Sequence, residues 1–187
     1  MTPVDLASDA MKDAASPPVR RLATVGDAEV RGLAELLIDC VEGGASVSFL
    51  HPLSLEKASA FWRRVGDDVA CGGRALFVAE DEQGIVGTVQ LVLDLPENQP
   101  HRADVSKMLV HRRARRQGLG AALMRAAEAH ARALGRSLLV LDTASADAER
   151  LYARLGWRLV GAIPRYALLP NGEPCATSYF YRDLGAQ

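Results

Sequence analysis

One strand–loop–helix–strand segment in the second half of the chain restricts the fold most strongly. Asp104–Val110 is predicted to be a strand, and the alanine-rich stretch Gly118–Leu134 is predicted to be a helix that Gly135 ends. The next segment, Ser137–Asp142, is a continuous apolar run of the kind found in strands buried on both faces. Two strands that are connected through a helix usually run parallel to each other. We therefore expect a mixed sheet with one parallel pair of strands, connected by the long helix.

The remaining elements follow from helical spacing, capping residues and turn-forming residues. The predicted strands are Val19–Val25, Arg74–Glu80, Ile85–Leu93, Trp157–Ile163 and Thr177–Arg182. The first predicted helix runs from the cap Asp27 to about Val41, because Val30, Leu33, Leu37 and Val41 recur at helical spacing. The other predicted helices run from the cap Ser54 to about Ala70 and over Ala146–Leu155. A chain of 187 residues suits one domain. We place that domain at residues 18–187, after a flexible N-terminal arm over residues 1–17. The predicted fold class is α+β (mixed α/β).

The overall charge excludes a general attraction for polyanions. The formal net charge is −1, with 24% charged and 49% hydrophobic residues, which is the composition of a soluble globular protein. We therefore predict no nucleic-acid partner and no membrane partner, so any site for a polyanion must be local. No apolar run approaches the length of a membrane span.

The cysteines and histidines favour neither a disulfide framework nor a metal centre. Cys40, Cys71 and Cys175 are odd in number and far apart, and the four histidines form no HExxH motif. We therefore expect no metal. Unpaired cysteines, together with a start that lacks the features of a secretory signal, suit the reducing cytoplasm.

The basic loop between the strand and the long helix predicts a site for phosphate groups. Four arginines of the stretch His111–Gln117 precede Gly118 and Gly120, which open the helix. The first N–H groups of a helix have no acceptor within the helix and lie at the positive end of its dipole. The two glycines let the main chain approach an anion closely, and Arg115 and Arg116 add positive charge.

Other interpretations of this loop explain less of the pattern. The glycines alone could pack a helix against a strand, and the arginines alone could form a solvated face. A dinucleotide-binding motif fails because Leu123 stands where the third glycine belongs, and the chain has no GxxxxGK[ST] loop. RNA binding is also disfavoured, because the loop has no aromatic residues between its arginines, and bases would need such residues to stack on.

Two motifs of the chain resemble those of the GNAT superfamily of N-acetyltransferases. Arg115-Arg116-Gln117-Gly118-Leu119-Gly120 is similar to the superfamily's [QR]xxGx[GA] motif, which binds the pyrophosphate of acetyl-coenzyme A. Further on, the order Ser145, Ala148, Tyr152, Gly156 and Trp157 resembles an N-x-x-A-x-x-x-Y-x-x-x-G-F pattern. The resemblance implies a single-domain GNAT fold with a mixed, mostly antiparallel, twisted sheet and helices on both faces. At finer grain the chain is similar to the tabtoxin resistance branch of the superfamily.

The resemblance also implies which residues bind the cosubstrate, acetyl-CoA. The main chain of the strand before the loop would hold the pantetheine arm, and the start of the long helix would hold the pyrophosphate. The serine at position 145 departs from the usual asparagine and shortens a side chain expected to hydrogen-bond the pantetheine. The implied binding residues are Met108, Leu109, Val110, Arg115, Arg116, Gln117, Gly118, Leu119, Gly120, Ala121, Ser145 and Ala148.

Two residues are candidates for moving protons during acetyl transfer. Tyr152 lies on the same helical face as Ser145 and Ala148, and its place in the motif implies that it protonates the departing thiolate. The alternative is a tyrosine that packs in the core. Asp142 ends an apolar strand and matches a proposed base in the tabtoxin enzymes, although it could instead cap the next turn. Asp104 or a water relay remains an alternative base.

The implied activity is transfer of an acetyl group from acetyl-CoA to a primary amine by direct attack in a ternary complex. The preferred acceptor is a small molecule such as an amino-acid-like toxin or antibiotic. Acetylation of a protein N-terminus or a lysine, and a CoA-sensing module without catalysis, are the alternatives. We expect the acceptor pocket between Gly43–His51 and Pro164–Pro174, and a homodimer through the late strands is compatible with such folds.

Overall fold

The computed structural model describes residues 17–185 and contains one mixed sheet with helices. The predicted arm therefore lies outside the described residues, apart from Pro17, and the domain boundary at residue 18 stays a prediction. In chain order the elements are β1 (Val19–Leu22), α1 (Asp27–Glu42), α2 (Leu55–Ala70), β2 (Arg74–Asp81), β3 (Gly84–Val92), β4 (Arg102–Val110), α3 (Leu119–Ala133), β5 (Leu138–Thr143), α4 (Ala146–Arg154), β6 (Arg158–Leu168) and β7 (Pro174–Asp183).

The seven-stranded sheet has the order β1-β2-β3-β4-β5-β7-β6. Neighbouring strands run antiparallel except β4 and β5, which are parallel and are connected through α3. This arrangement confirms the predicted mixed sheet with one parallel pair across the long helix. It is the α+β fold that the sequence implies.

Helices cover both faces of the sheet, because successive side chains of a strand point to opposite faces. In β2, Leu76 and Val78 pack into the core formed with α1 and α2, whereas Ala75 and Phe77 pack into the core formed with α3. Trp62 of α2 is fully buried in the first of these cores. The prediction of helices on both faces is confirmed.

Capping residues set the helix starts largely as predicted. Ser54 accepts a hydrogen bond from Lys57 N (3.2 Å) and caps α2. The start of α1 differs by one residue, because Gly26 is the cap and Asp27 is already helical. The reason is that the Glu29 carboxylate accepts a hydrogen bond from Gly26 N (3.1 Å).

The last two strands are longer than the sequence predicts. β6 continues through Pro164 to Leu168, and β7 begins at Pro174. Proline is tolerated there because β6 is an edge strand and its pairing with β7 shifts register between Ile163 and Ala167. The predicted end at Ile163 was therefore too early.

Among residues 17–185, no helix is both long and apolar enough to cross a membrane.

Candidate active site

A cleft opens where β4 and β5 separate. Within the described chain their ladder consists of three pairs and ends at Asp104–Val140, so the rest of β4 faces the cleft instead of a strand. The cavity has a volume of about 1350 Å³, and residues from β4, α3, β5, α4 and the segments 43–50 and 166–169 line it. It is large enough for an extended cofactor and an acceptor together.

A bulge bends β4 beside the opening. The pairing of β3 with β4 shifts register between Thr88 and Gln90, which leaves Lys107 and Met108 opposite a single residue of β3. Lys107 has a φ of 48°, in the left-handed region. The predicted pantetheine-binding residues Met108, Leu109 and Val110 all follow or form this bulge and line the cleft.

The N-terminus of α3 points its free amides at the cleft. Gly118 caps the helix with a φ of 81°, a conformation that favours glycine. The first intrahelical bond runs from Ala122 N to Gly118 O (3.1 Å), so the amides of Leu119, Gly120 and Ala121 precede the helical hydrogen-bond pattern. These residues line the cleft, which is the geometry of an anion site.

The arginines of the loop divide into two structural and two cleft-lining residues. Arg112 donates from its Nε to Asp39 (2.8 Å), and Arg113 donates from its Nε to Asp81 (3.0 Å), so both hold the loop against other elements. Arg115 and Arg116 line the cleft. The Arg115 Nε also donates to Val110 O (3.1 Å), which ties the side chain to the end of β4.

Asp39 anchors the loop to α1. Its buried carboxylate accepts hydrogen bonds from the Arg112 main-chain N (2.9 Å) and side chain. Burial opposes the charge, yet the bonds from Arg112 and the nearby His111 lower the pKa of Asp39 below its usual value. The carboxylate therefore stays ionised and keeps the loop in place.

Gln117 differs from the other predicted binding residues, because it is not among the residues that line the cleft. Its Nε2 donates to Arg113 O (3.2 Å), within the loop. The side chain thus stabilises the loop's own conformation.

Ser145 and Ala148 lie on the opposite wall of the cleft, at the start of α4. The Ser145 hydroxyl accepts a hydrogen bond from Ala148 N (3.4 Å) and caps the helix. Its hydrogen remains available to donate into the cleft.

Tyr152 lines the same wall and is almost fully buried, with 4% of its surface exposed. Its ring lies between Trp157 and Phe180, with centroids 5.9 and 5.8 Å away. Burial raises the pKa of the phenol well above its usual value, and the nearby Asp142 carboxylate raises it further. Tyr152 is therefore both a core residue and a protonated group at the cleft.

The two candidate bases have different surroundings. Asp142 is exposed as a residue, yet partial desolvation of its carboxylate raises its pKa; the positive charge of Lys107 opposes this shift and the negative charge of Asp104 adds to it. Asp104 forms an ion pair with Arg102 and lines only a small neighbouring pocket. Asp142 lines the main cleft, and among residues 17–185 no cation lies within ion-pair distance of it. Its carboxylate is therefore better placed to accept a proton.

The predicted acceptor segments meet at one end of the cleft. Ser46 Oγ donates to Leu168 O (2.9 Å), and His51 N donates to Pro170 O (2.9 Å). Beside them the Tyr179 hydroxyl donates to the Tyr166 hydroxyl (2.7 Å). The segment after α1 and the end of β6 thus form one wall.

Sequence reasoning missed Lys107, which lines this end of the cleft. The signal was present, since Lys107 is a charged residue within the mostly apolar end of β4, Val105–Val110. It also missed the tyrosine pair, whose members are 13 residues apart and meet only through the pairing of β6 with β7. In the part of the chain that the structure describes, no three His, Cys, Asp or Glu residues group as metal ligands would.

Comparisons with known proteins agree with this geometry. Residues 72–159, which include the bulge, the helix start and Tyr152, match the model of the acetyltransferase (GNAT) domain family. An uncharacterized N-acetyltransferase of Azospirillum brasilense, encoded in the hisH-hisA intergenic region, is 31% identical over 126 residues, which cover 66% of this chain and 73% of that protein.

Solved structures share the whole fold at low sequence identity. A ribosomal-protein-alanine N-acetyltransferase from Brucella melitensis is 20% identical and has a TM-score of 0.73, covering 89% of this chain and 99% of its own. A phosphinothricin acetyltransferase from Sinorhizobium meliloti, solved with acetyl-CoA, is also 20% identical with a TM-score of 0.73, covering 91% of this chain and 89% of its own. With a relative this similar and a family model over the cleft, the chain belongs to the GNAT acetyltransferases.

Proposed function

We propose that this enzyme transfers the acetyl group of acetyl-CoA directly to the primary amine of a small, amino-acid-like molecule. The observation that carries the proposal is the continuity of the cleft. One cavity connects the free amides of α3 with Asp142 and Tyr152, and then with the segment 43–50. Donor and acceptor can therefore meet in one complex, as direct attack requires.

Main-chain groups would hold most of the cosubstrate. The amides of Leu119, Gly120 and Ala121, with Arg115 and Arg116, form a cradle for a diphosphate. The unpaired side of β4 after Asp104 offers main-chain hydrogen bonds to a pantetheine arm. An N–H at the bulge would also stabilise the oxygen of the thioester as charge develops on it.

Asp142 would remove the proton from the attacking amine. Its raised pKa makes the carboxylate a better proton acceptor than an ordinary surface aspartate. Asp104 is a weaker candidate, because Arg102 already neutralises it. A water between Asp142 and the amine would serve the same purpose.

Tyr152 would return a proton to the departing thiolate. Because its pKa is raised, the phenol stays protonated at neutral pH and can donate. Ala148, one turn earlier on the same face, has a small side chain that leaves room for the sulfur.

Tyr152→Phe should lower kcat at least about tenfold and leave acetyl-CoA affinity nearly unchanged, as loss of a general acid does. The ring contacts with Trp157 and Phe180 are kept, so the fold should be unaffected. Release of free CoA thiol measures kcat, and calorimetry measures affinity. An unchanged kcat would remove Tyr152 from the acid role.

An acceptor screen tests the function. Acetyl-CoA and the enzyme are incubated with amino acids, aminoglycosides, polyamines and short peptides, and the release of CoA thiol is followed. We expect turnover with small amino acids or their analogues. Preference for peptides would indicate a protein acetyltransferase, and binding of acetyl-CoA without any turnover would indicate a sensing module.

Two further proposals concern the cellular location and the oligomeric state of the enzyme. The three cysteines are unpaired, which is compatible with a location in the reducing cytoplasm.

We also propose a homodimer through β6, because this edge strand exposes Leu159, Val160, Ile163 and Leu168. Light scattering gives the mass in solution, and a monomer at micromolar concentration would contradict the dimer.

A further inference from the structure

Lys107 places a cation at the acceptor end of the cleft. Among the described residues that line the cavity, it is the one lysine; the other cations are arginines. It occupies the β4 bulge with a φ of 48°, a strained conformation for a residue other than glycine. Such strain persists only where the surroundings enforce it, and it concentrates at functional sites.

A second strained residue holds the Lys107 side chain. Ser48, whose φ is 77°, lies within hydrogen-bond distance, with its Oγ 3.1 Å from the Lys107 Nζ. The ammonium also lies 5.6 Å from the centre of the Phe61 ring, a cation–π contact. Two strained residues from distant parts of the chain therefore fix one ammonium group at the cleft wall.

This ammonium is not neutralised by the protein. Within residues 17–185, no carboxylate lies within ion-pair distance of its Nζ. An ammonium has three N–H donors, and Ser48 accepts from only one of them. Desolvation lowers the pKa of Lys107, while the Asp142 carboxylate opposes that effect and Arg74 adds to it. A half-buried charge without a counter-ion is costly unless a ligand supplies one.

Lys107 and Asp142 together present opposite charges to one part of the cleft. Their charges affect each other's pKa, yet the two groups form no ion pair. An amino acid carries the complementary pattern, with an ammonium close to a carboxylate. If the ammonium approaches Asp142, which takes its proton, the carboxylate can reach the free donors of Lys107.

We propose that Lys107 binds the acidic group of the acceptor, so that the enzyme selects amines that carry a carboxylate, or a similar anion, near the reacting nitrogen. The inference rests on the proposed function and deepens it, because it assigns acceptor specificity to one residue. Lys107 acts here by binding and takes no part in the bond changes.

The test compares each L-amino acid with its carboxamide as acceptor, in the wild type and in Lys107→Met. Methionine keeps the length and the apolar stem of the side chain, and it is no more strained at the bulge than lysine. We expect the wild type to prefer the acid over the amide by about 30-fold or more in kcat/KM, as for the loss of one partner of a desolvated ion pair. In Lys107→Met the preference should fall below about threefold, through KM for the acid.

Two further variants separate charge from structure. Lys107→Arg keeps the cation and should keep most of the preference. Lys57→Met removes an exposed lysine whose ammonium lies 6.0 Å from the Phe49 ring. Lys57 itself is not among the residues that line the cleft, so this variant should behave as the wild type. The inference would be overturned if Lys107→Met kept the preference for the acid over the amide. It would also be overturned if the best acceptors of the wild type lacked any anionic group.

Binding distinguishes this failure from failure of the proposed function. If no amine is acetylated, the proposed function fails, and the same acid and amide pairs are titrated into the enzyme saturated with CoA by calorimetry. Tighter binding of acids by the wild type than by Lys107→Met would still support the anion site. Equal binding of acids and amides by the wild type would overturn it.

Discussion

Replacing Gly120 with glutamate should abolish measurable binding of acetyl-CoA while the protein stays folded. A Cβ at this position would lie 3.0 Å from Leu151 Cδ2 and 3.8 Å from Met108 Sδ, so the new side chain enters the cleft between α3 and α4. The carboxylate of the new side chain can accept hydrogen bonds from the free amides at the helix start. These amides would otherwise donate to the diphosphate. The same interaction is favourable for the helix, so the free energy of unfolding should not fall greatly.

Gly120→Ala is the matched control. It adds only the Cβ, whose nearest neighbour is the flexible end of Leu151, and it brings no charge. We expect it to bind acetyl-CoA measurably by calorimetry. If Gly120→Glu kept an acetyl-CoA Kd within about tenfold of the wild type, a change of about 1.4 kcal/mol, the helix start would not be the diphosphate site.

Asp142→Asn should lower kcat by about 100-fold or more, the usual contribution of a general base. Acetyl-CoA affinity should change little, because the groups proposed to hold the cosubstrate do not include this side chain. In the wild type, kcat should rise with pH through the raised pKa of Asp142, as the carboxylate ionises. That acidic limb should be missing from the pH profile of the variant.

The same substitution should raise the Tm at neutral pH. Because the folded-state pKa of Asp142 lies above the value of 3.8 expected in the unfolded chain, ionisation above that pH costs folding free energy. Asparagine carries no such cost, and the difference in Tm should shrink as the pH falls below 3.8, where both states are protonated. A variant that loses activity and stability together would instead have lost a structural residue.

Asp104→Asn distinguishes the two carboxylates. Asp104 is paired with Arg102 outside the main cleft, so the variant should lose much less activity than Asp142→Asn. The reverse order would move the base to Asp104.

Features that depend on neighbouring residues were predictable. The Ser54 cap, the buried spacing of Val30, Leu33 and Leu37, and the glycine-opened start of α3 all appear as expected. Each is determined by hydrogen bonds or side-chain periodicity within about one or two helical turns. The length of β6 was not predictable, because its last residues pair only with a strand that follows a turn.

The arginine-rich loop illustrates the difference within a single segment. Its charge and glycines are enough to predict an anion site, since any helix start with free amides attracts phosphate. Which arginines face the cleft depends on Asp39, which is 73 residues from Arg112 in the chain, and on Asp81. These acidic partners lie on other elements, so local reasoning could not separate Arg112 and Arg113 from Arg115 and Arg116.

The amino-acid sequence by itself determined the Ser54 cap of α2 and the glycine-opened start of α3, because hydrogen bonds and backbone requirements within one or two helical turns control them. Only the tertiary structure decided which carboxylate stands free at the cleft and that Lys107 and Ser48 meet there. Those features depend on desolvation and on contacts between residues far apart in the chain, such as Ser48 and Lys107, whose positions differ by 59. Such contacts exist only in the folded sheet, in which β4 and β5 stop pairing after Asp104 and Val140 and leave the cleft between them.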